Sequence, residues 1–166
     1  MKEKILKAFK DLGFKLEEDE DLIYRFNYEE LNMLYMFNES DELYLNIALP
    51  GIFEIEDDKL MQACILLEKI NSTLKYVKAY IVGNSIWLFY ERELIEQSDG
   101  QLLDNEEYLM TVISHMIFHL ESGFVFAHKA MEELEEAIAK DSSDENSDDA
   151  SEENVDKETT DNDDNE

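Results

Sequence analysis

The stretch that decides the fold is residues 42–76, ELYLNIALPGIFEIEDDKLMQACILLEKINSTLKY. Its first eight residues alternate between apolar and other side chains, a period of two that is typical of a strand with one buried face. The apolar positions are Leu43, Leu45, Ile47 and Leu49. Pro50-Gly51 predicts the end of this strand, because proline has no N–H to donate and glycine accepts backbone angles that other residues avoid.

A helix is predicted next, over about residues 57–74. Its apolar residues recur with helical spacing and form one stripe. They are Leu60, Ala63, Cys64, Leu67, Ile70 and Leu74. Asp57 and Asp58 suit the positive N-terminal end of this helix. We expect the sheet to lie against the helix, with Cys64 as a small buried thiol in the stripe.

A shorter helix is predicted at the start of the chain, over residues 2–12, where the apolar residues share one side. Gly13 suits the position just after a helix, and Phe14 can then fold back onto Phe9, the hydrophobic contact of a Schellman stop. The following residues 17–21 are all acidic and are predicted to form a loop.

Five strands are predicted in total. Three of them are joined by short polar turns in the manner of an antiparallel meander: residues 22–28, 31–38 and 42–49. The other two, residues 76–82 and 85–91, flank Gly83-Asn84, a dipeptide that favours a two-residue hairpin turn. The element order is therefore α-β-β-β-α-β-β-α. It predicts an α+β fold in which a five-stranded antiparallel sheet carries helices mainly on one face.

The C-terminal part is predicted to be helical before it becomes an acidic tail. After a loop over residues 93–103, a helix begins near Asp104 or Asn105, with an inner stripe of Leu109, Val112, Met116 and Leu120. Gly123 interrupts this helix, so residues 123–140 are either a bent continuation or a separate segment. Residues 141–166 hold 13 acidic residues and one lysine and lack core-forming residues. We predict one domain over residues 1–140 and a disordered acidic tail over residues 141–166.

The charge of the chain excludes several classes of partner. There are 14 basic and 42 acidic residues, a net charge of −28, and the charge without residues 141–166 is still −16. Such a field repels nucleic acids and anionic membranes and favours a basic protein partner. No run approaches the ~20 apolar residues of a membrane span, and no apolar signal segment opens the chain. Cys64 is the only cysteine, which excludes an intramolecular disulfide. We expect a soluble cytoplasmic protein.

Several short matches, taken in order, carry a resemblance to a known family. They are Leu49-Pro50-Gly51 before the long helix, Lys69-Ile70-Asn71 near its end, Tyr76 to Tyr80 followed by Gly83-Asn84, and the loop around Glu93-Leu94. Over about residues 2–120 the chain resembles the type III secretion chaperone-like fold, and within it the YbjN-like family, also called bacterial sensory transduction regulators. The resemblance implies a small cytoplasmic protein, often dimeric, that binds other proteins and has no chemistry of its own. Residues 124–140 and the acidic tail exceed the family pattern.

The sequence shows no catalytic signature. It has no phosphate-binding glycine loop and no serine or cysteine elbow, and no carboxylate pair stands out among so many. His115 and His119 have the i, i+4 spacing of two metal ligands, with Glu121 or His128 as a third. The simpler interpretation is that both are boundary residues hydrogen-bonded to neighbours or water. We therefore predict no enzyme activity, no cofactor and no metal site.

Asn71 lies beside the apolar stripe of the long helix, between Ile70 and Leu74, close to where the chain must turn into the next strand. An amide there is expected to tie the connection through backbone hydrogen bonds. We assign it a structural role.

The best candidate for a functional surface is the sheet face that points away from the long helix. Tyr44 is expected there, and the hairpin is apolar on both faces, with Tyr80, Trp87 and Phe89 among its large side chains. A strand that is apolar on both faces needs a cover on both. The cover is residues 124–138 of the chain itself, a second copy of the chain, or a client peptide added to a strand edge.

Two functions remain open from the sequence. The first is a non-enzymatic chaperone-like or regulatory module, predicted to be a homodimer, that holds a protein partner through Tyr44, Tyr80, Trp87 and Phe89 and its acidic surface. The alternative is a structural or adaptor subunit of a stable complex, with the acidic tail as its tether.

Overall fold

The computed structural model describes residues 1–20, 22–94 and 105–148. In chain order the elements are α1 (Lys2–Asp11), β1 (Glu17–Glu20), β2 (Ile23–Tyr28), β3 (Leu31–Phe37), β4 (Tyr44–Glu54), α2 (Leu60–Thr73), β5 (Val77–Val82), β6 (Ser85–Glu93) and α3 (Glu106–Asp148). A short 3-10 helix, Asp57–Lys59, precedes α2. The strands form one antiparallel sheet in the order β1-β2-β3-β4-β6-β5. Most of the predicted loop over residues 93–103 and the tail from residue 149 lie outside the described residues.

The sheet has six strands instead of the five that the sequence predicts. β1 pairs antiparallel with β2 where we expected an acidic loop, so that prediction is wrong. Acidic side chains suit an edge strand, because their charge discourages pairing with another chain. Two cross-strand hydrogen bonds add to the pairing: Arg25 donates to Asp19 at 2.5 Å, and the Tyr24 hydroxyl donates to Glu18 at 3.0 Å.

β4 continues through Pro50-Gly51, where the sequence predicts its end. Its register against β6 shifts between Leu49 and Phe53, which marks a bulge. A bulge tolerates a proline that has no N–H to donate, and Gly51 adopts a positive φ of 61° there. The dipeptide therefore interrupts the ladder without ending the strand, and Ile52 beyond it is still part of the core.

α1 ends as the sequence predicts. Gly13 has a φ of +89°, the Gly13 N–H donates to the Lys10 carbonyl at 2.9 Å, and the Phe14 N–H donates to the Phe9 carbonyl at 3.0 Å. These are the two bonds of a Schellman motif. The Phe14 ring lies 6.1 Å from the Phe9 ring, so the expected hydrophobic contact is formed as well.

The two sides of the sheet have different environments. On the first, called here the helix side, the Phe9 ring of α1 lies 5.0 Å from Phe26 and 5.3 Å from Tyr35, and His119 of α3 lies 5.9 Å from Tyr90. The buried sheet residues of this side include Tyr24, Phe26, Met33, Tyr35, Leu45, Ile47, Leu49, Ile86, Leu88 and Tyr90. The alternate residues of each strand point to the second side, called here the open side. The predicted arrangement of helices mainly on one face is confirmed.

α2 buries only part of the predicted stripe: Ala63 and Ile70 are buried as predicted, whereas Leu60 and Cys64 are exposed. Its buried residues are Ala63, Leu66 and Ile70. Cys64 is exposed, so the prediction of a buried thiol is wrong. The outward side carries Leu60, Met61 and Ile65, which are 53%, 72% and 47% exposed. Apolar residues surround this helix on more than one side, so the sequence pattern alone does not decide which side faces inward.

α3 begins where the sequence predicts. The Asn105 side chain accepts the backbone N–H of Glu107 at 3.0 Å and of Tyr108 at 3.3 Å, as a helix N-cap does. The predicted inner stripe of Leu109, Val112, Met116 and Leu120 is buried.

Gly123 does not interrupt α3. It is buried within the helix, and a Cβ at this position would lie only 3.1 Å from Val77 Cγ1 and 3.5 Å from Leu74 Cδ1. The glycine therefore allows α3 to approach the start of β5 closely. Of the two alternatives for residues 123–140, the structure shows an unbroken continuation, which extends to Asp148.

The chain divides into two compact units after Met131. The sheet and α1 and α2 belong to the first unit, and the described residues of the second are helical. By length and composition alone, residues 106–141 would pass as a membrane span. Of the most apolar window of this helix, 39% is buried, and the inner stripe of α3 accounts for that part within the first unit.

Candidate functional site

The four predicted partner-binding side chains share the open side of the sheet. Ala48 pairs with Phe89 across β4 and β6, and Tyr80 pairs with Trp87 across β5 and β6. Tyr44 lies on the same side because it is four positions from Ala48 along β4 and side chains alternate with a period of two. We call Tyr44, Tyr80, Trp87 and Phe89 the aromatic face.

Three members of the aromatic face form a ring cluster. The Trp87 and Phe89 rings are stacked, with centroids 6.0 Å apart and an interplanar angle of 18°. Tyr80 meets Phe89 edge to face at 5.5 Å. The Trp87 indole N–H donates to Ser85 Oγ at 3.0 Å, which satisfies its polar atom within the hairpin. Such ring pairs stabilise the arrangement by about 0.5–1.5 kcal/mol beyond area burial.

The hairpin is apolar on both sides, as the sequence predicts. On the helix side, Ile86 and Leu88 are completely buried, while on the open side Tyr80 is 47% exposed. Up to Met131, α3 makes its contacts on the helix side: Gly123 approaches Val77 there. That part of the chain's last helix therefore leaves the aromatic face uncovered.

Tyr44 is fixed beside an acidic residue at the margin of the aromatic face. Burial raises the pKa of the Tyr44 phenol, and the nearby Glu91 carboxylate raises it further. Glu91 also accepts a hydrogen bond from Asn46 Nδ2 at 3.0 Å. The phenol is therefore neutral at physiological pH and acts as a hydrogen-bond donor towards the Glu91 carboxylate.

Asn71 ties the outer edge of β5, which confirms its predicted structural role. Its Nδ2 donates to the Ala79 carbonyl at 3.0 Å, and its Oδ1 accepts the Ala79 N–H at 2.8 Å. Lys78 Nζ donates to the carbonyls of Asn71 and Leu74, at 2.9 and 3.0 Å. The Asn71 amide satisfies the backbone N–H and C=O of Ala79 on the outer edge of the sheet, and Lys78 satisfies two carbonyls at the end of α2.

The histidines are divided between two environments. His119 packs 5.0 Å from the Tyr76 ring, and His115 lies one turn before it, with 6.5 Å between the imidazole centroids. His128 instead contacts Phe53 and Phe124, at 4.6 and 4.3 Å. Across the ranges that the structure describes, no group of three or more His, Cys, Asp or Glu residues could hold a metal ion.

A cleft of about 710 Å³ lies where β6 extends beyond the first residue of β5. Three basic side chains and two histidines line it: Lys75, Lys78, Arg92, His115 and His119. Tyr76 and Tyr90 form part of its wall, and Tyr44 and Phe89 reach it from the aromatic face. The sequence reasoning missed this site, because its residues come from the α2–β5 connection, the end of β6 and the middle of α3, and no local motif joins them.

The cleft has the chemistry of a binding site. Its described lining contains no serine, threonine or cysteine that could act as a nucleophile. Cys64, exposed on α2, is not part of it. Burial raises the pKa of Tyr90, and the Arg92 guanidinium beside it opposes that effect.

No family model and no curated protein matches the chain. Among solved structures it is similar to YbjN, a putative transcription regulator from E. coli. The alignment covers 78% of this chain and 92% of that chain, with a TM-score of 0.58 and 10% sequence identity. At this identity the likeness shows the fold alone. The chain therefore has a YbjN-like α+β fold, as its sequence resemblance predicts.

Proposed function

We propose that this chain is a non-enzymatic regulatory protein of the cytoplasm that holds a protein partner on its aromatic face. The observation that carries the proposal is the clustering of Tyr44, Tyr80, Trp87 and Phe89 on the open side, away from α1 and the first part of α3. The description of its structural neighbour as a putative regulator is consistent with this class of function.

The side-chain types of the aromatic face favour protein binding. Tyrosine and tryptophan dominate the energetic centres of interfaces, because they offer a large apolar area with little rotamer entropy to lose. The Trp87–Phe89 stack holds two of these rings in place before a partner arrives. Less ordering is then needed on binding, which favours affinity.

The charge of the chain favours a partner with basic residues around an apolar centre. Glu91 and Glu93 lie on the open side beside the aromatic face, within a chain of net charge −28. Opposite charge speeds the encounter of two proteins and discourages acidic partners.

We further propose that the chain forms a homodimer through the outward side of α2. Leu60, Met61 and Ile65 are exposed apolar residues on consecutive turns there. A patch of this kind suits an isologous contact, in which the same surface is used by both copies. Light scattering of the full chain is expected to give the mass of a dimer, and Met61→Glu that of a monomer. A monomeric wild-type chain would overturn this assembly.

Capture of partners by the immobilised full chain tests the aromatic face. Wild type, Tyr80→Ser and Phe118→Ser are incubated with lysate of the native cells, and the bound proteins are quantified by mass spectrometry. Phe118 is the matched control, because it is an aromatic residue of α3 that is 58% exposed. We expect Tyr80→Ser to reduce the bound partner at least about tenfold, the effect of losing ~1.4 kcal/mol, and Phe118→Ser to retain it.

Trp87 supplies an independent readout, because it is the only tryptophan. Its emission is expected to shift to shorter wavelength when the captured partner is purified and added. Unchanged emission with a partner bound at saturation would place that partner elsewhere and would refute the proposal. Capture of several different proteins, each in less than equimolar amount to the immobilised chain, would support chaperone-like exchange. Capture of one protein at a fixed molar ratio would support the adaptor alternative.

A further inference from the structure

The cleft beside β5 and β6 concentrates positive charge in a strongly acidic chain. Acidic residues outnumber basic ones by 42 to 14, yet Lys75, Lys78 and Arg92 line this one site together with two of the three histidines. Within the described ranges, none of these three cations forms an ion pair with a carboxylate. Four basic residues elsewhere do form one: Lys7, Lys15, Arg25 and Lys59. Among the described residues, the cleft lining therefore carries three cations against two carboxylates, Glu91 and Glu93, and is positive within a strongly acidic chain.

The cations are arranged at different depths. Lys78 Nζ is fixed by two carbonyls at the end of α2, at 2.9 and 3.0 Å. Arg92 is half-buried beside the Tyr90 phenol, and Lys75 is exposed. A guanidinium presents paired N–H groups that match the oxygens of a carboxylate or phosphate, and an ammonium adds a mobile charge.

Aromatic rings stand next to these charges. Tyr76 is 55% exposed and stacks on Tyr90, with centroids 5.7 Å apart and an interplanar angle of 13°. His119 lies 5.0 Å from Tyr76. The exposed ring of Tyr76 offers a platform on which a flat ligand can stack.

We propose that this cleft binds a small organic anion in which a carboxylate or a phosphate is joined to a flat ring. A volume of about 710 Å³ is within the usual range for such ligands. Glu91 and Glu93 also line the cleft and oppose a polyanion, so the site selects a ligand with one or two negative charges.

Histidine side-chain NMR tests the site in the full chain. Adenosine 5′-monophosphate and 4-hydroxybenzoate are the probes for the phosphate and carboxylate classes, and adenosine and inorganic phosphate are the matched fragments. We expect saturable shifts of the His115 and His119 imidazole signals. The signal of His128, which packs against Phe53 and Phe124, serves as the internal control and stays in place.

Three variants connect the response to the cations. Arg92→Gln and Lys75→Gln are each expected to weaken binding about tenfold, and Lys10→Gln, an exposed lysine of α1, leaves it unchanged. The more tightly bound probe identifies the anionic group. The proposal is overturned by no saturation up to about 10 mM of either probe, by equal shifts of all three histidines, or by unchanged affinity in both cleft variants. Binding of inorganic phosphate as tight as that of the nucleotide refutes the ring-binding part.

Discussion

Asn71→Ala should destabilise the fold by about 2 kcal/mol. The variant removes both hydrogen bonds of the amide to Ala79, at 3.0 and 2.8 Å. Each contributes a net ~1 kcal/mol, and more where a buried backbone group is left unpaired. Ala79 is completely buried, so its N–H and C=O depend on this side chain. For a chain of this size, the loss corresponds to a fall in Tm of about 4–8 °C.

Urea unfolding followed through Trp87 emission measures this change, because Trp87 lies on the strand paired with β5. With an m value of about 2 kcal/mol/M, the midpoint should fall by about 1 M. Ser72→Ala is the control, since the Ser72 hydroxyl makes one long exposed bond, 3.3 Å to the Lys69 carbonyl. It should change stability by less than ~0.5 kcal/mol.

Asn71→Asp separates hydrogen bonding from side-chain volume. The carboxylate can still accept the Ala79 N–H, but its second oxygen would face the Ala79 carbonyl, which has no proton to donate. We therefore expect a stability between wild type and Asn71→Ala. A midpoint for Asn71→Ala equal to that of Ser72→Ala would refute the role assigned to the amide.

Three further changes test the core. Gly123→Leu should cost 1–3 kcal/mol or more, because even a Cβ would lie 3.1 Å from Val77; urea unfolding measures it. Phe9→Ala removes a fully buried ring and should cost about 3–5 kcal/mol, seen as a large loss of Tm. Tyr35→Phe should stabilise by about 1 kcal/mol at neutral pH, because the buried hydroxyl has no hydrogen-bond partner among the described residues. Burial raises the pKa of Tyr35, so wild-type stability is lost as pH rises above the unfolded value near 10, and the variant should lose less between pH 9 and 11 in urea titrations.

Local patterns in the sequence predict a large part of this fold. The alternation of Leu45, Ile47 and Leu49 determines which side of β4 is buried, and Gly13 with Phe14 determines how α1 ends. The same alternation predicts which residues form the aromatic face, because the period of two alone assigns each residue of a strand to one side of the sheet. These inferences succeed because each depends on residues within a few positions of one another.

Other features depend on contacts between distant parts of the chain. The acidic residues 17–20 form a strand because β2 is available for pairing, which composition does not reveal. Cys64 faces outward because packing selects one of several apolar sides of α2. A glycine within a helical pattern often indicates a break, but Gly123 lies inside α3 and allows close packing against Val77. The cleft joins three separate segments, so it becomes visible only in three dimensions.

The cleft and the aromatic face share a wall, and this contact yields a further prediction. Phe89 lines the cleft and also stacks on Trp87, which does not line it. An anion that contacts Phe89 should therefore alter the Trp87 emission through the stacked ring. The emission should change over the same range of ligand concentration as the His119 signal. Coupling between two binding sites is reciprocal, so a partner on the aromatic face that changes the affinity of the cleft for the anion has its own affinity changed by the anion by the same factor. Saturation of His119 with no change in Trp87 emission would show that the two sites are independent, whereas midpoints for His119 and Trp87 that coincide and both rise about tenfold in Lys75→Gln would show that Trp87 senses the bound anion.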